Sequence, residues 1–192
     1  MGVRDITVVV SNGQHRLAQY SHWGGMMRGI GVLRFCQRYL NNEDNRRHFA
    51  QKLSKVRFLS QPEIKSFLSK PSWGPEVFHC LSPDWKAHSL LKLIWEGSYQ
   101  EILAEDYIRF TGNSLHCEWA SVIDLDTCTF EVYSKPNVNP IPSEERFSKY
   151  SHSQNGIYAI GLTSKFSLDN LPTQEEYLRT VEECELEHRV KL

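Results

Sequence analysis

The chain opens with an alternation of apolar runs and turn residues that predicts a β-hairpin. Residues 6–10 form a β-branched run, residues 11–13 (SNG) are typical of a tight turn, and residues 14–20 alternate between polar and apolar positions. Asn12 and Gly13 tolerate the positive φ angles of a type I′ turn, so we expect the flanking segments to pair as antiparallel strands. The first strand is apolar on both faces, which favours a place inside a sheet.

Apolar residues then recur at helical spacing in several segments. The spacing predicts helices that end near residues 41–42, run over residues 44–56 and 90–97, and begin at Ser60 and Thr173. Ser60 with Glu63, and Thr173 with Glu176, have the spacing of capping boxes, in which the side chains at the cap and three residues later satisfy each other's backbone N–H groups.

The second half of the chain returns to strand patterns. Residues 115–123 alternate, residues 124–127 turn and residues 128–133 return as a second hairpin, and a further strand is predicted over residues 157–162. Residues 134–154 contain three prolines and are expected to form a long surface loop. Strands, clustered helices and strands again predict a single α+β domain over residues 1–192, with an antiparallel sheet built from at least two hairpins and clustered helices packed on it.

The composition narrows the class of protein, and the distribution of charge adds a candidate partner. The 192 residues are 40% hydrophobic and 23% charged with a net charge of −1, which excludes a disordered or collagen-like chain. Residues 28–70, however, hold ten basic and three acidic side chains, a local net charge of +7. A segregated charge of this kind steers an anionic partner such as tRNA. The alternative is that helices in this segment simply have basic solvent-facing sides. The predicted nucleic-acid contacts are Arg34, Arg38, Arg46, Arg47, Lys52 and Lys55.

Three further features bear on localisation. The sequence has no run of eighteen apolar residues, so no membrane-spanning segment is predicted. Residues 1–5 show no charged region followed by an apolar block, so no secretory signal is expected. The five cysteines are widely spread without a C-x-x-C pair, which favours reduced thiols. We therefore expect a cytoplasmic protein.

The glycine-rich stretch after the first hairpin is the leading candidate for a ligand site. Residues 23–31 contain four glycines, whose backbone N–H groups can turn inward, and the following helix adds partial positive charge at its N-terminus. Arg28 adds a full charge, so this stretch is predicted to hold a phosphate or carboxylate. Its spacing matches neither the dinucleotide-binding fingerprint nor the P-loop. A tight turn in which glycine packs against Trp23 explains the same residues.

The same stretch carries a resemblance to a known family. Residues 18–31, AQYSHWGGMMRGIG, resemble the motif A-Q-Y-x-Q-W-D-G-Y-P-x-G-Q-G of a family of small fungal, bacterial and phage proteins. Residues 117–133 and 166–176 are similar to the same family, so the likeness covers most of the chain. The resemblance implies no particular activity, although fungal members are compatible with a biosynthetic role.

The chain departs from the family motif at the point where chemistry is expected. Gly24 stands where the family has Asp, Met26 and Met27 stand where it has Tyr-Pro, and Arg28 stands at a position that is often acidic or small. If the family Asp is a general base or a metal ligand, this chain lacks it. If that Asp is structural, its loss leaves the chemistry intact.

Polar side chains near the glycine-rich stretch supply the candidate site. Glu118 and His22 are the predicted catalytic residues, with Glu118 as acid, base or anchor of an ammonium group. This prediction depends on Glu118 and the glycine-rich stretch lining one cavity, and an exposed sheet edge is the alternative place for Glu118. The predicted substrate contacts are Tyr20, Trp23, Gly25, Arg28 and Gly29.

Histidine and cysteine chemistry is a weaker hypothesis. The pairs His79-Cys80 and His116-Cys117 contain residue types that bind zinc, but neighbours in a strand point to opposite faces. We therefore predict no metal site, and no motif indicates a cofactor. Cys117 beside a histidine is a candidate nucleophile, and a small buried core residue is the other interpretation of it.

Two classes of function remain open. The first is a group-transfer enzyme of biosynthesis that transfers an acyl or aminoacyl group, and one specific version is a tRNA-dependent cyclodipeptide synthase. The second is a non-catalytic protein that binds a nucleotide-like or anionic small molecule, or a protein partner, and the missing Asp favours it. An amide-hydrolysing enzyme ranks last, because Gly2 offers no nucleophile and Thr7 would require processing.

Overall fold

The computed structural model describes residues 3–22, 24–69, 74–81, 87–134, 140–151 and 156–189. Within these ranges, no helix combines the length and hydrophobicity that crossing a bilayer requires. The strands are β1 Asp5–Ser11, β2 Gln14–Ser21, β3 Val56–Leu59, β4 Val77–His79, β5 Glu101–Glu105, β6 Trp119–Asp124, β7 Thr129–Ser134 and β8 Leu162–Ser167. The helices are α1 Gly25–Tyr39, α2 Glu43–Leu53, α3 Gln61–Ser69, α4 Ala87–Glu96 and α5 Gln174–Arg189.

A five-stranded mixed sheet forms the centre of a single α+β domain. Its order is β2-β1-β6-β7-β8, and all neighbours are antiparallel except β1 and β6, which run parallel. Both predicted hairpins are confirmed, as β1/β2 and β6/β7, and Asn12 and Gly13 turn the first with φ angles of 56° and 69°. The prediction of an antiparallel sheet was wrong for β1 and β6, which run parallel with Asp5 opposite Trp119. Local sequence patterns predict hairpins, but they do not predict the pairing of strands that are far apart in the sequence.

The two faces of this sheet are covered by different parts of the chain. On one face, α1 and α5 pack over inward side chains that include Val9 and Phe130. On the other face, connecting segments contribute Phe147 and Ile160 to a second core against Val8. Every residue of β1 is buried, which confirms that this strand lies inside the sheet.

A second, three-stranded sheet is parallel throughout and was not predicted. Its order is β3-β5-β4, and β3 and β4 contain four and three residues. Strands this short give too few positions for an alternation to be recognised. The second predicted helix was expected to reach Val56, but α2 ends at Leu53 and Val56 opens β3. A small core beneath α3 consists of Leu59, Ile64, Phe67 and Leu103.

The capping box at Thr173 is confirmed, and at Ser60 the structure shows the half of the box that Glu63 supplies. The Glu63 carboxylate accepts hydrogen bonds from the backbone N–H of Ser60 at 2.8 Å and from its hydroxyl at 2.6 Å. At the start of α5, the Glu176 carboxylate accepts from the N–H of Thr173 at 2.7 Å, and the N–H of Glu176 donates to the Thr173 hydroxyl at 3.2 Å. Each helix start is therefore determined by side chains within one turn of it.

The region before α5 differs from the sequence prediction. The strand expected over residues 157–162 lies later, as β8, because Ile160 donates its N–H to the carbonyl of Thr111 at 2.9 Å instead of to a sheet neighbour. Within the loop expected over residues 134–154, residues 135–139 and 152–155 lie outside the described residues. Phe147, in the described part of that loop, is only 1% exposed. Phe147 therefore anchors the loop in the core, while residues 140–146 and 148–151 are exposed or half-buried, as expected of a surface loop.

Candidate functional site

A basic groove runs between α1 and α4. The two helices approach closely where Gly31 faces His88, because a Cβ at position 31 would lie 3.2 Å from the His88 Nδ1 atom. The groove encloses about 460 Å³, and among the described residues that line it there is no carboxylate. The basic and imidazole side chains of its walls are Arg28, Arg34, Arg38, His88 and Lys92.

Helical spacing explains why the cations gather there. Arg34 and Arg38 are four residues apart on α1, and His88 and Lys92 are four apart on α4, so each pair shares one helix face. The positive charges of Arg34 and Arg38 repel each other at this spacing by roughly 0.2–0.5 kcal/mol. An anion between the two helices would remove that repulsion.

The internal partners of these cations leave much of their charge available. Arg34 donates one hydrogen bond to the side chain of Gln174. Lys92 lies 3.5 Å from Glu96, but both side chains are half exposed, and such surface pairs contribute little. The guanidinium of Arg38 lies on the ring of its neighbour in the sequence, where it stays open to solvent. The groove therefore keeps a positive potential.

Arg28 connects the groove to the main sheet. Its Nε atom lies 3.3 Å from Oδ1 of Asp5 at the start of β1, and the two side chains are 12% and 4% exposed. The contact is not a hydrogen bond, since Oδ1 of Asp5 accepts none among the described residues. Burial raises the pKa of Asp5 to about 8, and the charge of Arg28 offsets only part of that effect. A carboxyl group that exchanges its proton near neutral pH is typical of functional sites.

Further buried polar atoms lie between α1 and the sheet. Thr7 lies two residues further along β1 and therefore on the same face, opposite Ser121 of β6. Neither the Thr7 hydroxyl nor the hydroxyl of Tyr177 on α5 has a hydrogen-bond partner in the described part of the chain. Buried polar groups without partners are costly and uncommon. Together with Asp5 they form a buried polar layer between α1 and the sheet, with the Tyr177 hydroxyl next to Gly29 of α1.

The predicted substrate contacts fall on two sides of the main sheet. Arg28 and Gly29 lie on α1 next to the polar layer. Tyr20 points to the opposite face, where its ring packs against His22 with ring centres 5.0 Å apart. Trp23 lies outside the described residues. The sheet therefore separates Tyr20 and Arg28, which were expected to share one site.

Glu118 lies beside Arg4. Its Oε1 atom accepts a hydrogen bond from the Arg4 backbone N–H at 3.2 Å and lies 3.8 Å from the Arg4 Nε atom. The glycine-rich stretch is close by, since a Cβ on Gly25 would lie 3.2 Å from the ring of Trp119. Side chains of Val3 and Trp119 occupy the space next to Gly25. A cavity shared by Glu118 and this stretch stays a prediction.

The six predicted nucleic-acid contacts are divided among different surroundings. Arg34 and Arg38 line the groove. Arg46 is buried on α2, with Nη1 at 2.8 Å from Asp169 and at 3.2 Å from a backbone carbonyl. Arg47 is exposed and pairs with two acidic residues of the first turn of its own helix.

Lys52 and Lys55 lie beside the turn that follows α4. Lys55 donates to the carbonyls of Gly97 and Tyr99, at 3.3 and 2.9 Å. The Nζ of Lys52 is also close to Gly97, since it would lie 2.5 Å from a Cβ at that position. Of the six predicted contacts, two therefore line the groove, three bond elsewhere in the chain, and Lys52 lies beside Gly97.

The His-Cys pairs are split between surface and core. His116 is exposed, whereas Cys117 is buried, and burial raises the pKa of the Cys117 thiol well above its ordinary value. His79 and Cys80 show the same division, and burial raises the pKa of Cys80 to about 12. Such thiols are not activated nucleophiles. Among the described residues, no group of three or more metal-binding side chains is arranged to hold an ion.

Asp5, His88 and Lys92 belong to the candidate site but were not predicted. Asp5 directly precedes a β-branched run. This position in the sequence indicates that a buried strand places the carboxyl group in the core. His88 and Lys92 belong to the site because α4 packs on α1. No local pattern reports that packing.

Comparison with family models, curated proteins and solved structures finds no match to this chain. Membership of the family with the A-Q-Y-x-Q-W-D-G motif therefore stays a prediction. The fold and the site define a class by geometry alone, namely an α+β domain with a basic groove in front of a buried polar layer.

Proposed function

We propose that this chain binds an anionic, nucleotide-like ligand in the groove between α1 and α4. The observation that carries the proposal is the set of four cations, Arg28, Arg34, Arg38 and Lys92, around one cavity. Hydrogen bonds from such groups to phosphate or carboxylate are about twice as strong as neutral ones. The volume of about 460 Å³ falls in the range of small-molecule sites.

Aromatic rings in the same wall favour a ligand with a planar part. The rings of Phe35 and Tyr39 are 5.2 Å apart, and the guanidinium carbon of Arg38 lies 5.3 Å from the centre of the Tyr39 ring. Flat aromatic and guanidinium surfaces stack on bases, while nearby cations bind phosphate. A nucleotide supplies both parts, so it fits this groove better than a bare anion.

Titration with a fluorescent mononucleotide, N-methylanthraniloyl-AMP, tests this proposal. We expect Arg38→Gln and Lys92→Gln each to weaken binding about tenfold, because each removes a charge-assisted contact. Arg47→Gln removes an exposed arginine of α2 outside the groove and is expected to bind like the original chain. Equal weakening by Arg47→Gln would mean that the basic surface in general holds the ligand. Absence of saturable binding to the original chain would refute the proposal.

Acyl or aminoacyl transfer is a second proposal, and Asp5 is the observation that favours it. Asp5 lies 3.3 Å from Arg28, so a group that can give or take a proton stands directly behind a cation of the groove. In group transfer, such a group moves the proton of the attacking amine or hydroxyl. Of the predicted catalytic residues, Glu118 lies beside Arg4 and His22 packs against Tyr20.

The tRNA-dependent version of this proposal has its own test. If Arg34 and Arg38 contact backbone phosphates, the affinity for aminoacyl-tRNA falls steeply with salt, and Arg34→Gln or Arg38→Gln lowers the slope of that dependence by about one. Formation of a cyclic dipeptide from aminoacyl-tRNA, lost in Asp5→Asn while tRNA binding persists, would support transfer. Binding without turnover would leave the protein in the non-catalytic class.

A further inference from the structure

A second cavity lies on the opposite face of the main sheet from the groove. It encloses about 480 Å³ and shares no lining residue with the groove. Its charged and imidazole side chains come from separate parts of the chain: His15 of β2, Asp106 after β5, and Arg146 and Lys149 from the segment before β8. None of these four residues was predicted to belong to a site.

The floor and walls of this cavity are apolar and aromatic. Val8 and Val10 of β1 form part of the floor, and both are buried. Phe147 is buried beside them, and the ring of Phe58 lies 5.5 Å from the ring of His15. A planar ring therefore finds flat apolar neighbours here.

Asp106 orients the imidazole of His15. Oδ2 of Asp106 lies 2.9 Å from Nε2 of His15, and Oδ1 accepts the backbone N–H of Ile108 at 3.0 Å. Burial acts to raise the pKa of Asp106, but the hydrogen bonds from His15 and Ile108 outweigh it and hold that pKa below its ordinary value. Asp106 is therefore a carboxylate with both oxygens engaged. In the described part of the chain, Nδ1 of His15 has no hydrogen-bond partner, so this atom is available to a ligand.

Two buried carboxylates hold the guanidinium group of Arg146 in place, and one of its three nitrogens makes no hydrogen bond to a described residue. Its Nε and Nη2 atoms bind the buried carboxylates of Glu131 and Asp124, whereas Nη1 makes no hydrogen bond to any described residue. Lys149 is exposed, and its ammonium group lies 5.1 Å from the centre of the Tyr150 ring. An arginine held by two carboxylates loses little freedom when it binds an anion, so the donor is preorganised.

We propose that this cavity is a ligand site for a small molecule that carries an oxyanion on a planar ring. The oxyanion binds Arg146 and Lys149 beside the oriented imidazole of His15, and the ring packs against Phe58 and Phe147. The proposal does not depend on the groove, because the two cavities lie on opposite faces of the sheet and are built from different residues.

Binding of simple aromatic anions tests the proposal. Benzoate and phenyl phosphate distinguish a carboxylate from a phosphate as the oxyanion, and benzamide and inorganic phosphate each lack one half of the proposed ligand. NMR titrations follow the ring resonances of His15, identified by their loss in His15→Gln. We expect saturable shifts with at least one aromatic anion, and affinities at least about tenfold lower for benzamide and inorganic phosphate. Whichever of benzoate and phenyl phosphate binds with the higher affinity shows whether the site prefers a carboxylate or a phosphate.

Variants separate this site from non-specific attraction. Lys149→Gln is expected to weaken binding of the preferred anion about tenfold, whereas Lys65→Gln, on the exposed side of α3, leaves it unchanged. Arg146 is kept intact in these variants because it binds two buried carboxylates. The proposal is overturned if neither anion shifts His15 saturably, if benzamide or inorganic phosphate binds as tightly as the aromatic anions, or if Lys149→Gln and Lys65→Gln behave alike.

Discussion

The hydroxyl group of Tyr177 fills the space that a side chain at position 29 would need. A Cβ on Gly29 of α1 would overlap the Tyr177 Oη atom and lie 3.1 Å from its Cζ atom, and Tyr177 is fully buried. The contact between α1 and α5 therefore leaves no room for a single methyl group. Glycine at position 29 has a packing reason that does not require a ligand.

This contact predicts non-additive effects of two substitutions. Gly29→Ala is expected to destabilise the fold by about 1–3 kcal/mol, because added methyl groups strain a packed core. Tyr177→Phe removes a buried hydroxyl without a partner among the described residues, so we expect unchanged stability or a gain of about 1 kcal/mol. The double variant should recover part of the loss in a urea-unfolding cycle. Strictly additive free energies would contradict this account.

Asp5 should make the stability of the protein decrease as pH rises. Its pKa is about 8 in the folded chain against 3.8 as the ordinary value, so between these pH values the folded state holds a proton that the unfolded state has released. The free energy of unfolding then falls by up to about 1.4 kcal/mol per pH unit over that interval. Asp5→Asn is expected to flatten this dependence and to be the more stable protein at pH 8. Urea unfolding at pH 5 and pH 8 checks this, and parallel profiles of the two proteins would argue against it.

Arg146 should be important for folding as well as for the second cavity. Arg146→Met leaves the buried carboxylates of Asp124 and Glu131 without their main partner, and we expect a loss of about 3 kcal/mol. Lys165→Met also removes a cation next to Glu131, at 3.0 Å, but Lys165 is half exposed, so its loss should be smaller. Thermal unfolding of the two variants provides the comparison, and equal losses would exclude a special role for Arg146.

The ion pair between Arg146 and Glu131 predicts a loss of stability in acid. Burial acts to raise the pKa of Glu131, but hydrogen bonds from Arg146 and Tyr133 outweigh it and lower that pKa to about 2. Because the folded pKa lies below the unfolded one, this contribution is complete above about pH 4.5 and disappears as pH falls towards 2. Acid titration of the unfolding free energy in Glu131→Gln should show a shallower decline than in the original chain. An identical decline would rule out Glu131 as its source.

Thiol labelling should distinguish the cysteines by burial. Cys36, Cys80 and Cys117 are buried and Cys128 is half buried, so a thiol reagent added to the folded protein is expected to modify Cys128 before these three. Peptide mass spectrometry after short exposure measures the order. Labelling of Cys117 as fast as that of Cys128 would instead indicate an activated thiol.

The sequence predicts those features that depend on neighbours in the chain. Asn12 and Gly13 specify the first hairpin, and the Ser60–Glu63 box starts α3, because each involves residues within one turn. The pairing of Asp5 with Trp119 has no such local cause, and the mixed character of the sheet was missed with it.

The candidate site likewise contains residues that the sequence predicts and residues that only the tertiary structure brings there. Arg34 and Arg38 share one helix face by spacing, and both line the groove, while their predicted contact with nucleic acid stays a prediction. His88 reaches the groove through helix packing, and His15 meets Asp106 through the arrangement of β2 and β5. Contacts of this kind depend on the whole tertiary structure, which hydrophobic periodicity does not encode.

The parallel pairing of β1 with β6 has a consequence for synthesis on the ribosome. The β1/β2 hairpin emerges before β6, and the neighbour of β1 is not available until residues 119–124 have left the exit tunnel. During that interval the nascent chain exposes an unpaired row of backbone N–H and C=O groups on an apolar strand, which invites association with other chains. Newly made copies are therefore expected to need chaperone protection until translation has passed β6.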